Sequence, residues 1–161
     1  MIVVRSYQAR DRHALAHAIN AVCAEGMMAT PRFQPTPAWR RALDGADDHL
    51  LLVATVGRRI VGWCRLFPDG TGRAALGIGV ARDWRRQGIG ARLLTQSLRW
   101  AAARGVTELV LTTRADNGPA RRLFASNGFR TVGQRGESLE MALSLPGRPD
   151  DKERNREPHR A

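Results

Sequence analysis

The chain has 161 residues and a mass of 17.8 kDa, the length of one domain, and its 43% hydrophobic and 25% charged residues exclude a disordered or membrane-embedded composition. The net charge of +11 comes almost wholly from arginine, Lys152 being the only lysine; it favours polyanionic partners, nucleic acid or a phosphate-rich small molecule, or reflects no more than arginine-rich usage. With no apolar run near the roughly 20 residues of a spanning helix, no secretory signal at its start, and two cysteines, Cys23 and Cys64, too few for a disulfide framework or a cysteine zinc site, the chain reads as cytoplasmic, without membrane segment or metal.

Residues 2–7 are rich in β-branched side chains and predict a first strand, after which Asp11 can cap a helix. Leu15, Ala18, Ile19, Val22 and Cys23 recur at three- and four-residue spacing and mark its buried face up to Gly26. Three prolines make residues 30–37 irregular, and a short second helix is expected over 37–43. This segment is a candidate to face a substrate. Two apolar stretches, 49–56 and 59–67, joined at Gly57-Arg58, predict a hairpin; Pro68-Asp69-Gly70 is a second turn and 74–80 a further strand, an antiparallel meander. The pattern then changes. Ile89, Leu93, Leu94, Leu98 and Ala101 keep helical spacing until Arg104-Gly105, and 107–113 is a strand again. Asp116 or Asn117 can cap a last helix, with Pro119 in its first turn and Gly128 as its left-handed stop. Two strands, at 129–132 and 137–145, complete a domain over residues 1–146. The order β-α-α-β-β-β-α-β-α-β-β is α+β, or mixed α/β. Residues 147–161 hold no large hydrophobe to anchor them and are expected to be a disordered tail, whose mixed charges argue against a basic nucleic-acid arm.

Chemistry concentrates where the meander ends, at Val80-Ala81-Arg82-Asp83-Trp84-Arg85-Arg86-Gln87-Gly88-Ile89-Gly90-Ala91. A strand delivers the chain to a turn, two glycines open a helix, and arginines flank the entry, so unpaired backbone N–H groups and the positive helix end converge on one point. That arrangement binds phosphate. A side chain at Gly88 or Gly90 would hold an anion away from the amides or forbid the turn. The same two glycines also read as a plain helix start. A P-loop is excluded because no lysine follows the glycines, and the dinucleotide fingerprint fails because its third glycine would fall at Leu93.

With Arg85-x-x-Gly88-x-Gly90 followed by Asn117-x-x-Ala120 and Gly128-Phe129, the sequence resembles the GNAT superfamily of acetyl-CoA-dependent N-acetyltransferases over nearly its whole length apart from the tail. The resemblance implies a single domain whose central, mostly antiparallel twisted sheet is splayed between the fourth and fifth strands and flanked by helices. It implies that Ile78, Gly79 and Val80 offer a strand edge to the pantetheine amides of acetyl-CoA. The loop of Arg85, Arg86, Gln87, Gly88, Ile89, Gly90 and Ala91 would hold the pyrophosphate, and Asn117 would touch the pantetheine arm. Arg82, Arg85, Arg92 and Arg121 would supply positive charge or be solvated. The family reaction is direct attack of an amine on the thioester, with the Val80 N–H expected at the carbonyl, and no nucleophile elbow is present. Two positions depart from the family. Phe124, beside the expected cofactor, stands where a thiolate-protonating tyrosine is common, and Tyr7 is the only tyrosine. Thr112 lies on the strand where some protein N-terminal acetyltransferases carry a glutamate base.

Glu25 is the leading candidate for base or amine anchor, with His49 and Glu137 behind it; a solvated helix-end carboxylate is the plain alternative for Glu25. His13, His17 and His159 read as surface groups, and no histidine spacing suggests a metal. Trp39, Trp63, Trp84 and Trp100 read as packing rather than a base-stacking row. The expected activity is acetyl transfer to a primary amine, with a small amino-acid-like acceptor favoured. Protein N-terminal or lysine acetylation, and a non-catalytic acetyl-CoA-binding module, are the alternatives. Nucleic acid is disfavoured as a partner, polycationic acceptors are disfavoured by the chain's own positive charge, and monomer and homodimer stay equally open.

Overall fold

Alternating β-branched and leucine-rich segments pair into one seven-stranded sheet in the computed structural model, which describes residues 1–28 and 30–146. The strands are β1 (Ile2–Ser6), β2 (Leu50–Val56), β3 (Arg59–Pro68), β4 (Arg73–Val80), β5 (Glu108–Arg114), β6 (Arg130–Arg135) and β7 (Ser138–Ser144), ordered β1-β2-β3-β4-β5-β7-β6. Every neighbouring pair is antiparallel except β4 and β5. Those two meet only over residues 73–75 and 108–110. Beyond Ala75 they diverge, so residues 76–80 face β3 on one side and an open gap on the other. The expected splay is present.

Four helices cover the sheet: α1 (Arg12–Cys23), α2 (Pro37–Leu43), α3 (Ile89–Ala103) and α4 (Gly118–Ser126). The five apolar positions read for α1 are all buried. With α2 they form one core against Leu51, Val53, Trp63 and Phe67. On the opposite face α3 and α4 pack over all the inner strands through Ile89, Leu93, Leu94, Phe124, Leu66, Leu76, Leu109, Leu111, Leu139 and Met141. The first core contains no residue of β5, β6 or β7. One face of the sheet is therefore covered from β1 to β7 and the other only over its first half.

Two expectations change. Asp11 does not cap α1: it closes a short 3-10 turn at Ala9–Asp11, its backbone is already helical, and its carboxylate accepts from both Arg5 guanidinium nitrogens at 2.7 and 2.8 Å and from the Gln8 N–H at 2.8 Å. A nearby arginine outcompetes the helix amides for a buried carboxylate. The sixth strand, expected at 129–132, runs instead over Arg130–Arg135 with a register shift between Thr131 and Gly133. It is the sheet edge, and none of its residues is buried, so the alternation that marks a half-buried strand is missing from its sequence. Elsewhere the readings hold: Asn117 caps α4, Gly128 has φ +91°, and both cysteines are free and buried. Residues 147–161, read as a tail, lie outside the described residues. Among the described residues no helix is long and apolar enough to cross a membrane.

Candidate functional site

Pairing alternates along an antiparallel strand, so each residue bonds to its neighbour strand or away from it. The Ala81 N–H donates to the Val61 carbonyl and the Asp69 N–H to the Arg73 carbonyl, which fixes the odd-numbered residues of β4 as those bonded to β3. The N–H and C=O groups of Ile78 and Val80 therefore point into the gap. Ile78 and Val80 carry their side chains onto the α3 face, and the opposite face of the strand is glycine at 77 and 79.

Those glycines have a packing reason. A Cβ at Gly79 would stand 2.1 to 2.7 Å from three carbons of the Trp63 indole, and one at Gly77 would stand 2.7 Å from Arg65 Nε. Both side chains of β3 lie across β4 in the space a methyl group would take.

The open edge leads directly to the glycine loop. Arg82–Trp84 makes a 3-10 turn, then Arg86 and Gly88 both adopt left-handed backbone, φ +63° and +77°. Gly88 suits that conformation, whereas for Arg86 it is strained; it is the only non-glycine at positive φ among the described residues. The two reversals turn the chain so that α3 starts with its N-terminus exposed. Arg92 N–H makes the first bond, to the Gly88 carbonyl, which leaves the amides of Ile89, Gly90 and Ala91 without intrahelical acceptors. No side chain caps this end and no acidic residue lies in its first turn. The helix end can take an anion. Gly90 serves a second purpose, since a Cβ there would meet Leu123 Cδ2 of α4 at 3.1 Å.

The flanking arginines divide. Arg85 donates through Nε to the Val80 carbonyl at 3.0 Å and through its second guanidinium nitrogen to Glu25. Its side chain ties the loop to the strand end. Arg92 donates to the Ile2 carbonyl at 3.1 Å and Arg121 to the Ala115 carbonyl at 2.9 Å. Arg86 makes no hydrogen bond or ion pair with any described residue.

Glu25, just past the end of α1, is mostly buried and ion-paired with Arg85 through one oxygen and with Arg82 Nε at 3.3 Å through the other. It therefore sits beside the strand end and the loop. His49 and Glu137 lie elsewhere: the His49 ring packs 5.0 Å from that of Phe67, and Glu137 is exposed and paired with Arg114 at 2.8 Å. Asn117 Oδ1 accepts from the Ala120 N–H at 3.3 Å, so its role in the structure is to cap α4. Phe124 is buried, its ring edge-on to Phe129 at 5.5 Å. Tyr7 cannot replace the absent tyrosine where it stands, because its hydroxyl donates to the Leu43 carbonyl at 3.0 Å. Burial pushes the Cys64 thiol up to about 12, so no thiolate nucleophile is present there at neutral pH. Among the described residues no three His, Cys, Asp or Glu side chains gather as a metal site would need.

Residues 18–129 match the family model described as Acetyltransferase (GNAT) family. The chain belongs to the GNAT family. It is 36% identical over 85 residues to the mycothiol acetyltransferase of Clavibacter michiganensis subsp. michiganensis, covering 52% of this chain and 28% of that protein. To the chloroplastic GCN5-related N-acetyltransferase 7 of Arabidopsis thaliana it is 29% identical over 99 residues, 53% of this chain and 35% of that protein. The chain thus spans about a third of the length of the curated relatives it matches. Among solved structures, a GNAT acetyltransferase from Streptococcus pneumoniae superposes with a TM-score of 0.78 at 21% identity, covering 90% of this chain and 100% of that one. The PaiA N-acetyltransferase of Thermoplasma acidophilum, solved in complex with coenzyme A, does so at 0.73 and 17%, covering 90% and 99%. These likenesses show the GNAT fold.

One residue of this GNAT chain escaped the sequence reading. Arg65 was absorbed into an apolar strand, although it falls in the phase of Trp63 and Phe67 and faces Gly77 across the register. A lone charge on the buried phase of a strand, opposite glycine, was the available signal.

Proposed function

We propose that this chain is an acetyl-CoA-dependent N-acetyltransferase acting on a primary amine, with a small amino-acid-like acceptor. The observation that carries the reading is the continuity of one strand edge that no other strand pairs, Ile78 to the Val80 N–H, with the open N-terminus of α3. A long molecule with amides along its length and a diphosphate at one end fits that track. Ile78, whose N–H and C=O both point into the gap, would pair with the amides of the pantetheine arm as a strand would. Arg86, Gln87, Gly88, Ile89, Gly90 and Ala91 would receive the pyrophosphate, with the Arg86 side chain available for a phosphate.

Bound acetyl-CoA supplies a thioester carbonyl open to attack by a neutral amine. The Val80 N–H is fixed by its strand and aimed into the gap, so it can polarise that carbonyl without reorganising. Arg85, held between the Val80 carbonyl and Glu25, keeps the strand end and the loop in register. Glu25 in this reading has both oxygens engaged by Arg82 and Arg85 and orients Arg85, and water in the cleft takes the proton the amine must lose. Phe124 offers no proton, and the leaving thiolate takes one from solvent.

Thermal unfolding tests this directly. Acetyl-CoA and coenzyme A are expected to raise the midpoint, by the mass-action term for a ligand that binds only the folded state, and ATP much less. Gly90→Glu, which places charge and bulk at the helix entry, is expected to abolish the rise. Stabilisation without release of free thiol in the presence of any amine would favour a non-catalytic binding module, the reading that Phe124 supports. No rise near a millimolar of acetyl-CoA would overturn both.

A further inference from the structure

The side chain of Arg65 leaves β3 and crosses β4. Its Nε lies 2.7 Å and its Cζ 3.3 Å from where a Gly77 Cβ would stand, its Nη1 donates to the Ala75 carbonyl at 3.3 Å, and its Cζ sits 5.0 Å from the Phe67 ring centre. Ala75 is the last residue of β4 that pairs with β5. The guanidinium thus lies over β4 at Ala75–Gly77, level with the point where β4 parts from β5, on the face that α1 and α2 cover only in part. The helix entry that suits a diphosphate lies past Val80, so Arg65 stands beside the part of the strand farthest from the phosphate end.

The group is largely buried and has no counter-ion among the described residues. Several carboxylates are taken by other arginines: Glu25 by Arg82 and Arg85, Asp48 by Arg41, Glu108 by Arg73, Glu137 by Arg114. One long bond to a carbonyl and one aromatic face leave most of its five donors unused. Its unbonded nitrogens are not sealed off, because the only fully buried side-chain nitrogen or oxygen without a hydrogen-bond partner among the described residues is His49 Nδ1. Burying a cation is costly unless an anion meets it, and desolvation lowers the Arg65 pKa from its ordinary value. Gly77 makes room for it where alanine would serve the strand better.

We infer that Arg65 is the acceptor-recognition residue: it receives a carboxylate of the incoming amine and so confines the acceptor to molecules that carry both an amine and a carboxylate. The inference rests on the acetyltransferase reading and adds the group that selects the substrate. A planar guanidinium meets a carboxylate through two parallel hydrogen bonds, which a carboxamide of the same shape cannot reproduce.

The test compares the common α-amino acids with their carboxamides, by thiol release from acetyl-CoA and by thermal shift in the presence of coenzyme A. For the wild type, kcat/KM is expected to favour the free carboxylate by about tenfold or more, and only the carboxylates add to the coenzyme A shift. Arg65→Gln is expected to bring the carboxylate-to-carboxamide ratio close to one while acetyl-CoA still stabilises the protein. Arg65→Lys, which keeps the charge and loses the fork, should fall between. If Arg65→Gln fails to fold, the wild-type ratio and the lysine variant still decide. Equal use of acids and amides by the wild type, an unchanged ratio in a folded variant, or no effect of any acid on the shift would overturn the inference. Absence of an acetyl-CoA shift in the wild type marks failure of the acetyltransferase reading instead.

Discussion

Gly79 shows how one atom sets the geometry of a strand. Its missing Cβ leaves room for the Trp63 indole, which is nearly fully buried. Gly79→Ala must displace either the indole or the strand, and overpacking of this kind costs about 1 to 3 kcal/mol. Urea unfolding of the variant should show a lower midpoint with little change in slope. Because the displaced strand is the one whose edge carries Ile78 and Val80, the acetyl-CoA shift should also diminish. The sequence offered Gly79 as a residue of the cofactor edge; its neighbour across the sheet, and with it the packing reason, depends on register and lies beyond the reach of local pattern. Arg86 is similar. Its place in the loop is readable from Gly88 and Gly90, but its left-handed backbone is not, since nothing in an arginine announces positive φ.

The elements that were legible share a property: their signal is local. The α1 and α3 faces follow from residue spacing, α2 from the proline at its start, and α4 from Asn117, Pro119 and Gly128. What failed lay outside the element's own pattern. Asp11 is an ordinary helix cap until Arg5, six residues earlier in β1, reaches it. That pair also sets a pH dependence. The hydrogen bonds from Arg5 hold the Asp11 carboxyl below its ordinary value of 3.8, so the folded state binds this proton less readily than the unfolded one. Its contribution is full above about pH 4 and is lost as pH falls through the lowered value. Asp11→Asn should therefore lose about 1 to 3 kcal/mol near pH 7, and chemical denaturation at pH 3 should show a smaller difference from wild type.

At the scale of the molecule, the charge of +11 belongs partly to its own architecture, because Arg5, Arg85, Arg92, Arg114 and Arg121 all bond to protein groups. What remains around the loop still favours an anionic ligand. Raising salt from about 50 to 500 mM shortens the screening length from more than 10 Å to a few ångströms, and acetyl-CoA affinity measured by calorimetry is expected to weaken several-fold across that range. A flat salt response would assign the binding to backbone amides alone. The fold class, element order and splay were all legible because the family pattern spans most of the chain; the uneven cover of the two sheet faces was not, because helix spacing marks which side of a helix is apolar and says nothing of how far along a sheet the helix reaches.

That uneven cover gives the seam between β4 and β5 a mechanical meaning. Three residue pairs and one continuous core layer join the two halves of the sheet, while the core under α1 and α2 stops short of β5. The strand boundary is thus an internal edge, with unsatisfied amides of the kind that proteins elsewhere hide or blunt. Whatever lies along it supplies the missing rungs of the ladder. If acetyl-CoA lies there as proposed, ligand capture and completion of the sheet are the same event, and the ligand is expected to tighten the coupling between the two halves.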